Sequence, residues 1–241
     1  MCYALANEGA STVVLDRNAE GADAVASKIK RGGGKAISVN ADVQSIEHLR
    51  AMADEVMSTF GQLNILVNNA EARMIKGFLE HTKEDWDSML GINLSGPFHC
   101  SQAIVPKMVA SGGGSIINIC SIASYMGRPN RCAYVAAKSG LLGLTRTMAI
   151  DLAPKNIRVN GISPGMIASP FNQRFSESEE TGVAWANDNL IGRWGNSNDI
   201  NGAVVFLASE ESSFITGSDI KVDGGWLAAR ARIGEEAILS D

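Results

Sequence analysis

Long apolar runs, clustered cysteines and a surplus of basic residues are all missing from this chain of 241 residues. No uninterrupted hydrophobic stretch approaches the ~20 residues needed to cross a bilayer. The first residues combine neither a basic segment nor a sustained apolar one, so no secretion signal is read there and the cytoplasm is the expected address. A net charge of −5 argues against a nucleic-acid or anionic-membrane surface. Cys2, Cys100, Cys120 and Cys132 lie too far apart for a CxxC metal or redox pair, so buried or half-buried free thiols are expected. His48, His81 and His99 fall near no ligand cluster, and no metal site is expected.

What remains is an ordinary globular composition, 45% hydrophobic and 20% charged, which with this length suits one enzyme-like domain over residues 1–241. Short β-branched runs alternate with longer helical stretches. The strand candidates are Thr12–Asp16, Ala36–Asn40, Ile65–Asn68, Ser115–Ile119, Arg158–Ile162 and Asp219–Val222. "TVVLD", "NILVNN" and "SIINIC" show almost no polar alternation, as expected of strands covered on both faces of a parallel sheet. Helices are expected over residues 1–9, Asn18–Lys30, Ile46–Phe60, Lys83–Ala110 (one long helix), Tyr134–Leu152 and Asp199–Ser209. This alternation predicts an α/β fold with a doubly wound parallel sheet between two helical layers. In such folds ligands sit beyond the carboxyl ends of the strands. The segments there are Asp16-Arg17, Asp42-Val43, Asn68-Asn69-Ala70-Glu71, Ser121 and Ser163-Pro164-Gly165.

Tyr134 and Lys138 stand four apart at the head of a helix and project from one face. Leu141, Leu144, Met148 and Leu152 form the stripe that packs this helix inward. A phenol with a pKa of about 10 is a poor acid–base at neutral pH, and an ammonium one turn away should lower that value. Ser121 closes the preceding strand, where its hydroxyl can hold a substrate oxygen beside the phenol. Alone, a Tyr and a Lys four apart are an everyday coincidence.

The surrounding motifs extend the pattern. From Asn7 to about Trp226 the chain resembles the short-chain dehydrogenase/reductase family in its single-domain, Rossmann-like form. The family's Tyr-x-x-x-Lys pair matches Tyr134 and Lys138, its Ser matches Ser121 in "NICS", and its Asn matches Asn93 in "GINLSGPF". The resemblance implies that Tyr134 exchanges a proton with the substrate oxygen while Ser121 orients that oxygen. Lys138 would lower the phenol pKa and hold the nicotinamide ribose, and Asn93 would hold a water in the proton relay. It also implies cofactor contacts at Asp42, Val43, Asn69, Ala70, Pro164, Gly165, Ile167 and Ser169, the last where the family usually has Thr. "ITGSDIKVDGG" looks like the family's closing strand, and a homo-tetramer is implied.

Cofactor choice has its own physical reading. Asp16 can accept hydrogen bonds from both ribose hydroxyls of NAD and would repel a 2′-phosphate. Arg17 beside it would welcome that phosphate. Asp16 holds the more direct position, so NAD is expected over NADP; its competing role, capping the next helix, can be filled by Asn18.

Two departures from the family stand out. The family's first strand and glycine-rich turn have no counterpart ahead of the first helix. In strand order 3-2-1-4-5-6 that strand is central, so a gap of about two spacings of ~4.8 Å is expected. Each buried backbone group left unpaired there would cost ~1–3 kcal/mol. The expectation is a shortened form of a longer product that binds the dinucleotide poorly, unless a neighbouring segment or subunit fills the gap. The second departure is Glu71, where the family has Gly in "NNAG"; solvent is its expected direction.

The segment Ser169–Gly195 reads as a variable lid, with Phe171, Phe175 and Trp185 as apolar walls. Arg128, Arg131, Arg174 and Arg193 could grip a carboxylate or phosphate, although solvated positions are the commoner fate of scattered arginines. "GRWG" is similar to segments of sugar-acid and polyol dehydrogenases, which points to a secondary alcohol or ketone as substrate. The competing functions are a non-catalytic relative with failed cofactor binding and an epimerase or dehydratase that retains its nicotinamide. The latter usually carries an added domain, for which the residues after Trp226 are too few. The tail from about residue 227 could reach a neighbour or fray.

Overall fold

The computed structural model describes residues 1–228, so nearly all of the tail lies outside the described residues. The strands are β1 (Thr12–Asp16), β2 (Ala36–Asn40), β3 (Ile65–Asn68), β4 (Gly114–Ile119), β5 (Ile157–Pro164) and β6 (Asp219–Val222). Around them lie α1 (Cys2–Asn7), α2 (Ala19–Arg31), α3 (Ile46–Phe60), α4 (Lys83–Leu90), α5 (Gly96–Ala110), α6 (Cys132–Leu152), α7 (Gln173–Ser176), α8 (Glu179–Asp188) and α9 (Asn201–Ala208). The fold is α/β and Rossmann-like, with parallel strand pairing throughout.

The strands form two sheets, β1–β2 and β3–β4–β5–β6. β1 pairs with β2 from Thr12↔Ala36 to Asp16↔Asn40, and β4 lies between β3 and β5. Among the described residues no strand joins β1 to β3, the interruption expected from the sequence. Side chains bridge it instead. Val13, Leu15 and Val39 of the small sheet enter the same core as Leu49 and Met52 of α3, Ile104 and Met108 of α5, and Ile116 and Val159 of the large sheet. On the other face, Met1 and Leu5 pack with Val204 and Leu207, while Cys2 and Ala6 pack with Val14 and Ile29. Fully burying one such aliphatic side chain contributes about 1.5–3 kcal/mol.

Local signals explain most boundaries. Asn18 caps α2 by accepting from the Gly21 amide at 3.1 Å, as expected, and Ser45 caps α3 through His48. Gly61 ends α3 with φ of 75°. The expected long helix Lys83–Ala110 is not one regular helix. A π turn at Gly91–Ser95 separates α4 from α5, with the Gly96 amide donating to the Gly91 carbonyl five residues back. The lid carries α7 and α8, which hydrophobic periodicity did not announce. The helix expected from Asp199 begins as a 3-10 turn at Ser197–Ile200. All four cysteines are free; Cys100 and Cys120 are buried, and burial pushes both thiols up to about 12.

A buried polar chain stiffens the centre of the large sheet. Asn68 donates to Asn118 Oδ1 at 2.8 Å, and Asn118 donates to Thr145 Oγ1 at 2.9 Å, which joins β3, β4 and α6. Asn118→Ala leaves the Asn68 amide short of its acceptor and should lower the unfolding free energy by about 1–3 kcal/mol. Urea titration checks this as a lower midpoint at an unchanged slope.

Candidate active site

The site is assembled where β3, β4 and β5 end. After β4, Ser121 starts a 3-10 turn, and its Oγ accepts from the Ala123 amide at 3.1 Å. Tyr134 and Lys138 share the inward face of α6 with Leu141, Met148 and Leu152. Lys138 is 1% exposed and Tyr134 8%. The Lys138 ammonium donates to the Ile119 carbonyl at 2.8 Å and lies 5.8 Å from the Tyr134 ring centroid.

Glu71 does not point to solvent. Its side chain is 21% exposed and turns into the site, where the Tyr134 hydroxyl donates to Oε1 at 2.9 Å. The Arg73 guanidinium forms an ion pair with the same carboxylate. The reason is electrostatic: a cation as deeply buried as Lys138 attracts the nearest anion. Burial pushes the Glu71 carboxyl up, but the charges of Lys138 and Arg73 outweigh it and hold the group below its usual range.

This arrangement corrects the expected direction for the phenol. Burial, followed by the Glu71 charge, drives the Tyr134 pKa well above its ordinary value, with Arg73 and Ser121 opposing. Burial lowers the Lys138 pKa, and Glu71 opposes that shift. The Ile119 carbonyl accepts from the ammonium and the Glu71 charge opposes it, so burial and the carboxylate prevail at the phenol.

Asn93 is fully buried in the π turn. Its amide donates to the carbonyls of Ala72 and Met89, both at 3.0 Å, and its Oδ1 accepts from the Ala72 amide at 3.3 Å. The side chain therefore clamps the backbone beside Glu71, and the irregular turn aims it there. Val43 meets the same turn, since a Cβ added to Gly96 would lie 2.9 Å from its Cγ2.

The other expected cofactor positions fall at strand ends. Asp16 and Arg17 are exposed at the end of β1, and Asp16 Oδ1 accepts from the Asn18 amide at 2.9 Å. Asp42 turns the chain after β2 by accepting from Gln44. Asn69 and Ala70 are exposed beyond β3. Pro164 ends β5, and Gly165 passes so close to the residue after β6 that a Cβ would lie 2.6 Å from Asp223 Cα. Ile167 bridges to Gly195, and the Ser169 hydroxyl accepts from the Asn172 amide.

Sequence reasoning missed the ties that close the site. Arg73 donates to Asn172 Oδ1 at 3.2 Å, and Asn172 donates to the Ile167 carbonyl at 2.8 Å, so the β3 end, lid and β5 end form one chain of contacts. The spacing of Glu71 and Arg73 was visible, but their direction depends on contacts remote in sequence. Two concavities, of about 660 Å³ beside α1 and α2 and about 380 Å³ between Met166 and Gly225, are lined by other residues than Tyr134.

A Tyr–Lys–Ser constellation at the carboxyl ends of a parallel sheet defines a nicotinamide-dependent oxidoreductase class. The sequence model described as enoyl-(acyl carrier protein) reductase matches residues 1–227. A cyclopentanol dehydrogenase from Comamonas testosteroni is 36% identical over 227 residues, covering 94% of this chain and 91% of the relative. A 2-dehydro-3-deoxy-D-gluconate 5-dehydrogenase from Escherichia coli strain K12 is 40% identical over 197 residues, 81% of this chain and 78% of that one. Among solved structures, a gluconate 5-dehydrogenase from Burkholderia cenocepacia J2315, in complex with NADP and tartrate, superimposes with a TM-score of 0.90 at 35% identity, covering 95% and 89% of the two chains. The chain belongs to the short-chain dehydrogenase/reductase family.

Neutralising Glu71 tests the electrostatics. In Glu71→Gln the phenol loses the anion that raises its pKa, so it ionises more readily. The pH at which alcohol oxidation reaches half its maximum should then fall by about 1 pH unit or more. Paired pH–rate profiles of the two proteins check the shift.

Proposed function

We propose that this chain transfers a hydride between a nicotinamide cofactor and a secondary alcohol or its ketone. The observation that carries this reading is the Tyr134 hydroxyl, beside the buried Lys138 ammonium and the Ser121 turn, at the mouth of the sheet. The nicotinamide, when bound, supplies or accepts the hydride. Tyr134 gives its proton to the carbonyl oxygen in reduction and takes one in oxidation. Ser121 orients that oxygen. Lys138 holds the ribose and balances charge at the phenol, and Asn93 fixes the segment through Ala72 and supports the proton relay. With Glu71 seated on its hydroxyl, Tyr134 is protonated and poised as the acid of carbonyl reduction.

The strand ends fit the outer parts of a dinucleotide. Asp16 keeps one carboxylate oxygen free for ribose hydroxyls, with Asp42, Val43, Asn69 and Ala70 along the way. Pro164, Gly165, Ile167 and Ser169 form the nicotinamide end. Among the described residues no glycine-rich turn cradles a diphosphate between them. Asp16 supports NAD over NADP, although Arg17 beside it and the NADP bound by the Burkholderia relative weigh the other way. The relatives acting on cyclopentanol and on a sugar acid support an alcohol or hydroxy acid as substrate. The exposed Phe98, Val109 and Ile150 on α5 and α6 support assembly of identical subunits, for which we propose a tetramer.

The interrupted sheet favours a second reading, a relative with weakened cofactor binding. Thermal unfolding with and without NAD separates the two: a cooperative transition raised by NAD supports the enzyme, and an unmoved one supports the relative. For catalysis, Tyr134→Phe should reduce kcat/KM by about 10²-fold or more, read as absorbance of the reduced nicotinamide during oxidation of secondary alcohols. Removing Asp16 as Asp16→Ser should shift the ratio of NAD to NADP activity towards NADP.

A further inference from the structure

The lid side of the site carries an excess of positive charge that the proton-transfer residues do not use. Arg73, from the segment after β3, and Arg128 and Arg131, from the one loop ahead of α6, meet around Tyr134. Arg73 is paired with Glu71. Arg131 donates to the Met74 carbonyl at 3.4 Å, which ties its loop to the segment after β3. Arg128 is half-buried and has no carboxylate or carbonyl partner among the described residues. Its Nη1 meets only the Met166 sulfur, at 3.6 Å, and its guanidinium lies 5.3 Å from the Trp185 ring centroid.

A guanidinium carries five donors in a planar fork and is poorly satisfied by a thioether and an aromatic face. Burial lowers the Arg128 pKa, and the neighbouring Arg73 charge lowers it further; Arg131 is lowered by burial and then by Arg128 and Arg73. Three mutually repelling cations with one carboxylate between them, in a chain of net charge −5, call for an anion from outside. The stacking of Arg128 on Trp185 of α8 holds the fork in place and leaves its edge free, the geometry that suits a planar two-oxygen ligand. Met166 follows Gly165 directly, so such a ligand would lie between the lid and the nicotinamide end of the site.

We propose that Arg128, backed by Arg131, is a carboxylate-binding subsite, and that the substrate is a hydroxy acid or keto acid whose carboxylate is held there while its alcohol or carbonyl reaches Tyr134. The identity of the reacting group rests on the oxidoreductase reading above; the anion subsite does not. Arg128 is a specificity residue, set apart from the proton-transfer machinery.

The test compares D-gluconate and tartrate with sorbitol, a neutral polyol of gluconate's length, at constant ionic strength. Calorimetric binding and the unfolding midpoint are measured for the native chain, Arg128→Gln and Arg128→Lys. At least one of the two hydroxy acids should bind the native chain and raise its midpoint, whereas sorbitol should not. Arg128→Gln should weaken that binding at least tenfold, with Arg128→Lys in between because it keeps the charge without the fork. In turnover, the KM for the hydroxy acid should rise at least tenfold in Arg128→Gln while kcat stays within about threefold and cyclopentanol oxidation is unchanged. Binding of neither acid, equal binding of sorbitol, or unaltered acid binding in both variants overturns the proposal. Arg128-dependent binding without turnover of any alcohol leaves the subsite standing and rejects the oxidoreductase reading instead.

Discussion

The ammonium group of Lys138 is removed from water, and a charge in that position has to be answered by the groups around it. The Ile119 carbonyl at the end of β4 answers part of it, and the Glu71 carboxylate supplies the counter-charge. Glu71 pairs with Arg73 and accepts a hydrogen bond from the Tyr134 hydroxyl. The hydrogen bond of the phenol, the ion pair after β3 and the attachment of the lid through Arg73 and Asn172 all connect through that carboxylate. The same carboxylate that balances the lysine also opposes ionisation of the tyrosine, so the free protein is set up as a proton donor.

The scaffold has the rigidity such a site needs. Polar groups beneath it satisfy one another within the sheet, and Asn93 pins Ala72 from a π turn that would be costly without its extra hydrogen bonds. The two sheets are joined by packing of α3 and α5 on one face and α1 on the other rather than by a ladder. Apolar contacts of this kind set distance without fixing register. The side of the site built on β3, β4 and β5 is therefore more tightly determined than the side built on β1 and β2.

Much of this was legible in the sequence because it is local. "TVVLD" and "SIINIC" are β-branched and apolar enough to declare buried strands, and Asn18 marks a helix start whose cap forms as expected. Tyr134, Lys138 and Ser121 stand out through the family resemblance, since helical spacing and a position after a strand do not single them out alone. The π turn was hidden because Gly91–Ser95 continues a helical pattern on both sides, and only the packing of Asn93 against Ala72 reveals the change of register. Glu71 was misdirected for a related reason: Asn69 and Ala70 before it are exposed, whereas the Lys138 ammonium that draws it inward lies on α6. The lowered phenol pKa expected from a lysine one turn away is reversed by burial first and by the Glu71 charge second, neither of which a pairwise spacing carries. α7 and α8 escaped notice because their stretch is polar and their apolar contacts, such as Trp185 stacked on Phe175, form only within the lid.

The account stands on the claim that burial, reinforced by Glu71 seated on the Tyr134 hydroxyl, keeps that phenol protonated in the free protein. The direct measurement is the titration of Tyr134 followed by ¹³C NMR of its ζ carbon, assigned by comparison with the Phe variant. The account predicts a resonance that remains in the phenol form well past the ordinary tyrosine pKa of about 10. A midpoint at or below that value with Glu71 intact would show that the lysine charge governs the phenol after all, and would contradict it.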